Sequence, residues 1–320
     1  MWFEDEQASP WLEGLDGASF EGSFSTRRSI FTKASDSTIE GNVKTKNRVL
    51  AQAKNSSIEG KVEAEEHVIW KAENSVIKGN VKTSGGLIGS SKNSTVEGDV
   101  EADGAVNWSS ENSTVEGNVK AGKMVLWNSR NSVVRGDVEA GTNVMHESED
   151  SVVRGDVEAE NSVLNSAEDS SVHGNVEAGT NVMWASEDSV VRGDVEAGKH
   201  VLHSAQRSTI EGDVSAGEGL LDWSDDSVVI GDVEAKGEVL EGAQNCFVIS
   251  EKLSAPSIGS EAFGGLVAAE ELNVDDVYEN TTVITQDDRS GALSYQGDWE
   301  EISRFVAEEV RKDNFGSLRG

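Results

Sequence analysis

The sequence is poor in cysteine: Cys246 is the only one, so the chain cannot form an internal disulfide. It stands in register with Ser208 and Ser227 of the preceding repeats, which indicates a structural role for this thiol. The sequence also has no run of ~18 apolar residues that could span a bilayer. The first ten residues, MWFEDEQASP, lack the basic start and apolar core of a signal peptide, and we expect a cytoplasmic protein.

Basic residues are scarce relative to acidic ones. The chain has 27 lysines and arginines against 59 aspartates and glutamates, which gives a formal net charge of −32. A surface of this sign repels phosphate backbones, so nucleic acid is not expected as a partner. The acid excess suits a protein that stays soluble in molar salt and favours a halophilic source, with an ordinary acidic protein as the alternative.

Insertions and deletions are absent from the central part of the sequence, where a glycine returns at one constant interval. A fixed period of this length indicates a solenoid, in which one short unit is stacked on itself and contacts its two neighbours. We refer to each 19-residue unit as a turn. The repeating glycines are Gly22, Gly41, Gly60, Gly79, Gly98, Gly117, Gly136, Gly155, Gly174, Gly193, Gly212 and Gly231.

Within one turn the sequence alternates in the manner of a strand with one buried face. In the turn 112–130, Val115, Val119 and Ala121 alternate with polar residues, and a second strand begins near Val125 after turn-forming residues. The alanine position holds only alanine or threonine from turn to turn, which indicates a narrow interior. The sequence therefore predicts an all-β fold, a parallel β-helix (β-solenoid) of about 12 turns.

Asparagine or aspartate recurs at Asn112 and at most of its equivalents, just before a serine. Both residue types tolerate left-handed backbone and hydrogen-bond to neighbouring amides, which suits a sharp corner between strands. Stacked corners then give an Asn/Asp ladder beside a serine ladder. The calcium-binding nonapeptide pattern is absent, so we interpret the ladder as structural and not as a row of calcium ligands.

A second apolar column follows Val125, and strict alternation would place it on the outside. Next to it lies a variable column that includes four tryptophans. Two interpretations stay open: a bulge tucks one column into the interior, or the columns form an exposed apolar stripe that serves a lateral contact or is covered by a terminal segment. The candidate stripe residues are Trp70, Trp108, Trp127, Trp184, Leu126, Leu164 and Leu202.

Catalytic and metal-binding patterns are absent from the sequence. The five histidines fall on three different repeat positions, so no cluster with metal-ligand spacing is expected. Carboxylates repeat in register, whereas an active site needs a few groups in different environments. No long loops interrupt the repeat to build a cleft. We therefore predict a protein that is not an enzyme and that has no cofactor and no metal.

The two ends of the repeat differ from its body. The pattern predicts an N-terminal segment over 1–19, a β-helix over 20–250 and a C-terminal capping region over 251–320. An amphipathic pattern predicts a capping helix at about 299–313, with a partner-binding helix as the alternative. The bulky residues of the two ends are the candidate end contacts: Phe20, Phe24, Phe31, Phe247 and Ile249.

The recurring Val-x-Gly-Asp-Val-x-Ala, present at 96–102, 134–140, 153–159 and 191–197, resembles the repeat motif of the bactofilins, polymer-forming cytoskeletal β-helix proteins. The acidic composition narrows the resemblance to their haloarchaeal relatives, the halofilins. The resemblance covers about 18–250. It implies a right-handed parallel β-helix that binds no nucleotide, joins end to end into non-polar filaments and supports cell shape at the membrane.

Two functional hypotheses follow. The first is a non-enzymatic, bactofilin-like cytoskeletal scaffold that associates end to end or laterally with itself or with a related protein, in the cytoplasm or at the membrane periphery. A capped chain that modulates the polymer of a relative is a variant of this hypothesis. The second is a surface β-helix that binds a ligand such as a polysaccharide along its tryptophan column.

Overall fold

The computed structural model describes residues 13–279, 281–285, 293–294, 299 and 303–304. The elements defined among these residues are all β-strands. The chain is an all-β protein, a parallel β-solenoid of about 14 turns, which confirms the predicted fold class and raises the predicted number of turns from about 12. It divides into two compact units, Met1–Glu160 and Asn161–Gly320.

In the first unit, most turns contain three short strands that pair in parallel with their equivalents in the neighbouring turns. Val115 lies opposite Val134, Val119 opposite Val138, and Val125 opposite Val144. The first strands are Ser19–Glu21, Thr38–Glu40, Ser57–Glu59, Val76–Lys78, Thr95–Glu97, Thr114–Glu116, Val133–Arg135 and Val152–Arg154. The second strands are Phe24–Thr26, Val43–Thr45, Val62–Ala64, Val81–Thr83, Val100–Ala102, Val119–Ala121, Val138–Ala140 and Val157–Ala159. The third strands are Ile69–Trp70, Ile88–Gly89, Val106–Trp108, Val125–Trp127 and Val144–His146.

The second unit keeps the same arrangement and the same parallel register, for example between Val176 and Val195. Its first strands are Ser171–His173, Val190–Arg192, Thr209–Glu211 and Val228–Ile230. Its second strands are Val176–Ala178, Val195–Ala197, Val214–Ala216 and Val233–Ala235. Its third strands are Val163–Asn165, Val182–Trp184 and Val201–His203.

The parallel stacking of the second unit continues past residue 250, where the sequence predicts a change to a capping region. Phe247–Ile258 pairs with Gly265–Val277 in the register of the repeat, and Thr281–Thr285 and then Leu293–Ser294 follow. The repeat motif is no longer recognisable here because one extra residue precedes the position equivalent to the buried Val233. Val233 pairs with Leu253 and not with the lysine before it, so a leucine faces the core and that lysine is exposed.

The capping helix predicted at about 299–313 falls mostly outside the described residues. Of that range, the structure describes only 299 and 303–304, and the defined elements do not support a helical cap. The predicted N-terminal segment, 1–19, is described from residue 13 onwards.

The core of each unit is a narrow column of aliphatic side chains. Val115, Val125 and Leu126 are fully buried, and Val119 nearly so. Between the first and second strands, the glycine column is required by contact between turns. Gly117 has a φ of 158°, and a Cβ atom on it would lie 2.4 Å from the carbonyl oxygen of the preceding glycine of the column. Because a side chain would overlap that carbonyl, only glycine allows the turns to reach hydrogen-bonding distance.

The corner ladders predicted from the sequence are confirmed. Asn112 has a left-handed φ of 51°. Its Nδ2 donates to Oδ1 of Asn93 at 3.1 Å, and Asn93 donates in turn to Asn74 at 2.9 Å. In the neighbouring serine column, the backbone N–H of Ser113 donates to Oγ of Ser132 at 3.4 Å. These hydrogen bonds satisfy corner groups between turns, so the ladders are structural.

Candidate functional site

The phenylalanines of the first turn form one aromatic cluster in the first unit. The ring centroid of Phe20 lies 6.1 Å from that of Phe24 and 6.2 Å from that of Phe31. Phe31 is fully buried and Phe24 nearly so, whereas Phe20 is half-buried. Within the described residues, the strand Ser19–Glu21 pairs on one side only, with Thr38–Glu40. Phe20 therefore lies at the edge of the described stack, and its role as an end contact stays a prediction.

The other two candidate end contacts lie elsewhere. Phe247 and Ile249 belong to a strand that further parallel strands follow, so they are not in the last turn. They occupy outward-facing positions, which are mostly polar in earlier turns, and Ile249 is buried against Trp299. The other residues of this cluster are Val228, Ala268, Ile230, Leu266 and Ile284. A C-terminal tryptophan thus covers a lateral apolar patch, and these two residues are not free for an end contact.

The leucines of the candidate stripe lie in the core. Leu126, Leu164 and Leu202 are fully buried, and their φ angles are 55°, 55° and 54°. A left-handed residue directly after an inward-facing valine breaks the strand alternation, so two consecutive side chains point into the interior. The bulge interpretation holds for this column, and the three leucines do not belong to an exposed stripe.

Two tryptophans of the first unit pack around a histidine. The ring centroid of His67 lies 5.3 Å from that of Trp70 and 5.1 Å from that of Trp108. Glycine makes the room for the second indole, because a Cβ atom on Gly89 would lie 2.2 Å from the ring of Trp108. The guanidinium of Arg48 stacks over Trp70 at 4.0 Å, which is a cation–π contact. Both tryptophans are half-buried in this cluster.

Trp127 is the most exposed of the candidate stripe residues. It pairs in register with Trp108 of the preceding turn, and 37% of its surface is accessible. Among the described residues of this unit, the exposed apolar feature is therefore a short aromatic surface and not the long mixed stripe that the sequence allows.

In the second unit, the same column carries Trp184, then His203, then Asp222 in three successive turns. The indole of Trp184 stacks on the imidazole of His203 with ring centroids 4.1 Å apart and planes inclined by 24°. His200 lies at the preceding corner, with its ring centroid 5.0 Å from that of His203. This stacking fixes the plane of the His203 ring.

Asp222 joins the two histidines. Its carboxylate oxygen Oδ2 lies 2.8 Å from Nδ1 of His200 and 3.9 Å from Nδ1 of His203. The other ring nitrogen of His200, Nε2, lies 2.9 Å from a carboxylate oxygen of Glu218. Among the described residues, Oδ1 of Asp222 and Nδ1 of His203 are buried without a hydrogen-bond partner. The cluster therefore brings polar atoms together and leaves two of them unsatisfied.

A glycine makes room for the carboxylate of Asp222. Gly219 occupies the column of His200, one turn later, and a Cβ atom on it would lie 2.0 Å from Oδ2 of Asp222. With hydrogen in that place, the carboxylate fits against His200 and is only 2% exposed. Burying a carboxylate costs folding free energy unless the carboxylate is paired, so this geometry indicates a preformed binding site.

The environment shifts the pKa values of Asp222 and His203. Burial raises the pKa of Asp222 to about 6, and the hydrogen bond with His200 acts in the opposite direction. Burial and the nearby His200 lower the pKa of His203. Both shifts favour the uncharged form of the group.

The histidine positions in the sequence predict no cluster with metal-ligand spacing, and the structure corrects this prediction. His200, His203 and Asp222 place one potential ligand atom each within 4.8 Å of one another. The histidine positions alone do not reveal the cluster, because its third member is a carboxylate one turn later. His203 and Asp222 share a column in adjacent turns, and this signal was present in the sequence.

No protein-family model, no curated protein and no solved structure matches this chain. In the part of the chain that the structure describes, no helix has the length and apolar character that crossing a membrane requires.

Proposed function

We propose that the chain is a non-enzymatic, bactofilin-like cytoskeletal scaffold whose right-handed β-helix associates with a second copy, or with a related protein, through the edge of its first turn. The single observation that carries this proposal is Phe20. At the same position in the next turns, Ile39 and Ile58 are fully buried, whereas Phe20 is half-buried beside an edge strand.

Edge chemistry supports association at this end. An edge strand presents backbone N–H and C=O groups that pair readily with another chain, and an exposed aromatic residue adds apolar surface to the contact. Phe24 and Phe31 are buried beside Phe20, whose half-exposed ring presents more apolar surface than one valine-class side chain gives. At the other end of the chain, Phe247 and Ile249 pack against Trp299, so we assign the end contact to the first turn alone.

The test is the mass of the purified chain by light scattering, together with negative-stain electron microscopy, in molar KCl and in dilute buffer. We expect assemblies larger than one chain that Phe20→Asp disrupts. Phe263→Asp is the matched control, because Phe263 is 73% exposed in the second unit and far along the sequence from the first turn. A wild-type chain that is monomeric in both buffers, or a Phe20→Asp variant that assembles normally, would contradict the proposal.

A shortened chain that begins at residue 13 tests whether Phe20 is covered by a second copy or by the leading residues of the same chain. If a second copy covers Phe20, both the full and the shortened chain assemble. Assembly of the shortened chain alone would mean that the leading residues cover Phe20, and the proposal would then be wrong for the intact protein.

The acid excess and the resemblance to the bactofilins support a halophilic source and the proposed cellular location. A charge of −32 is compatible with a halophilic source, and the scaffold is assigned to the cytoplasm or to the membrane periphery. Cell fractionation of the source organism in high salt tests this location.

A second candidate function rests on the exposed aromatic surface of the first unit. Trp108 and Trp127 lie in register on adjacent turns, and aromatic faces of this kind suit the apolar face of a sugar ring. A surface β-helix that binds a polysaccharide would show a change in tryptophan fluorescence on titration with soluble polysaccharide, and Trp127→Ala would abolish that change. An unchanged spectrum would rule out this candidate for the polysaccharide used.

A further inference from the structure

We propose that His200, His203 and Asp222 form a binding site for a divalent transition-metal ion of the zinc class. Two neutral imidazoles and one carboxylate are a ligand set that zinc accepts, with a fourth position left for water or another group. The site goes beyond the scaffold function, and it lies in the second unit, far along the sequence from the first turn.

The distances suit a small tetrahedral ion. With metal–ligand bonds of about 2.0–2.1 Å, neighbouring ligand atoms in a tetrahedral site are about 3.3 Å apart. The Oδ2 atom of Asp222 lies 2.8 Å from Nδ1 of His200 and 3.9 Å from Nδ1 of His203, so the two measured distances bracket this value. One potential ligand atom from each of the three residues lies within 4.8 Å of the others, so side-chain adjustment brings them to tetrahedral spacing.

The unsatisfied atoms distinguish this cluster from a simple hydrogen-bonded pair. A proton shared between His200 and Asp222 satisfies that contact alone. It leaves Nδ1 of His203 and Oδ1 of Asp222 buried without a partner among the described residues, and each such group is destabilising. A metal ion between the three side chains would bind the lone pair of His203 and both neighbouring ligand atoms at once.

An outer carboxylate supports the ligand role of His200. The Nε2 atom of His200 lies 2.9 Å from Oε2 of Glu218. When Nε2 donates its hydrogen to Glu218, Nδ1 presents a lone pair toward Asp222, so two acceptors face each other across 2.8 Å. A proton or a metal ion between these two atoms resolves the contact, and only a metal ion also takes the lone pair of His203. This carboxylate–histidine–metal arrangement is common at zinc sites.

Two further features hold the site in shape. Stacking on Trp184 fixes the ring plane of His203, with the ring centroids 4.1 Å apart. The absence of a side chain at Gly219 lets the Asp222 carboxylate reach the two histidines of the preceding turn. At the equivalent place in the first unit, His67 is likewise followed one turn later by a glycine, Gly86, but the room there is taken by the indole of Trp108 and not by a carboxylate.

The test is a titration of the full-length, chelator-treated protein with Zn²⁺ by isothermal titration calorimetry, with millimolar-range Mg²⁺ present to occupy exposed carboxylates. We expect one tight site per chain, lost in His203→Asn and in Asp222→Asn. His146→Asn is the matched control, because His146 occupies the same column as His203 in the first unit and its Nδ1 is likewise buried without a partner. This control should bind Zn²⁺ as the wild type does.

Co²⁺ gives a second readout, since four-coordinate Co²⁺ with nitrogen and oxygen ligands absorbs strongly in the visible range. Glu218→Gln tests the same site without removing a ligand, and it should weaken binding by about 10- to 100-fold while the circular dichroism spectrum stays unchanged. The proposal is overturned if Mg²⁺ abolishes all Zn²⁺ binding, or if the His203→Asn and His146→Asn proteins give the same isotherm.

Discussion

A Cβ atom placed on Gly117 would lie only 2.4 Å from the carbonyl oxygen of Gly98. The two glycines hold equivalent positions in adjacent turns of the first unit. Their close approach shows that the repeating glycine sets the spacing between turns, because contact distances below about 3 Å with backbone atoms force the chain to move.

We expect Gly117→Ala to destabilise the first unit by more than about 3 kcal/mol, since it adds both a steric overlap and a side chain at positive φ. Thermal unfolding followed by circular dichroism measures the effect. The control is Lys123→Ala, because Lys123 is exposed in the corner that follows the strand Val119–Ala121. This variant should change the free energy of unfolding by less than about 0.5 kcal/mol. Equal melting of the two variants would refute the role of the glycine column.

Asn107 is a polar residue in a column that is otherwise apolar, and it is fully buried. Both side-chain atoms lack a hydrogen-bond partner among the described residues. Asn107→Leu should raise the free energy of unfolding by about 1–2 kcal/mol, because it removes buried unsatisfied groups and leucine already occupies this left-handed position at Leu126. Asn128→Leu is the matched control: its φ of 48° is similar but the residue is exposed, so no stabilisation is expected. Chemical denaturation of both variants would decide the point.

Cys246 is buried, and burial raises the pKa of its thiol to about 12. We expect no reaction with a thiol reagent at pH 8 in the folded protein and full reaction after unfolding, since the thiolate is the reactive form. Rapid labelling of the native chain would contradict the burial.

The same shift predicts a dependence of stability on pH. The folded chain holds the Cys246 proton more tightly than the unfolded chain, whose thiol pKa is near 8.5, so the contribution to stability is complete below about pH 8.5 and declines as pH rises toward 12. Cys246→Ser removes this contribution, and serine fits because it holds the same position at Ser227. Stability curves of the two proteins should therefore differ in slope above pH 8.5 and be parallel below it. Parallel curves throughout would argue against the shift.

Trp299 covers an apolar patch on the outer face of the last strands, where it packs against Ile249. Trp299→Ala should destabilise the second unit by about 3 kcal/mol and increase the binding of an apolar fluorescent dye, because the patch becomes exposed. Trp223→Ala is the control, since 53% of Trp223 is accessible. If both variants bind the dye equally, the covering role of Trp299 is wrong.

The sequence predicted the repeat, the parallel strands and the corners because these depend on contacts between identical positions. Val115 and Val119 face inward in turn after turn, and Asn112 bonds to its equivalent in the neighbouring turn, so one period read along the chain already describes the stacking. The edge position of Phe20 was predictable for the same reason, since the first turn has no predecessor in the repeat.

Other features needed the tertiary structure. Whether Leu126 faces inward depends on one left-handed φ angle, which strand alternation does not reveal. Whether Ile249 is free depends on Trp299, which comes from a much later part of the chain.

For the cluster of His200, His203 and Asp222, the sequence likewise determined one part and the tertiary structure the other. The sequence determined that His203 and Asp222 share a column, because the period is constant. Only the folded chain decided that His200 at a corner reaches across to the same carboxylate, which Gly219 leaves room for. Periodicity fixes which residues are stacked, whereas the direction of each side chain depends on local backbone angles and on the space that neighbouring turns leave.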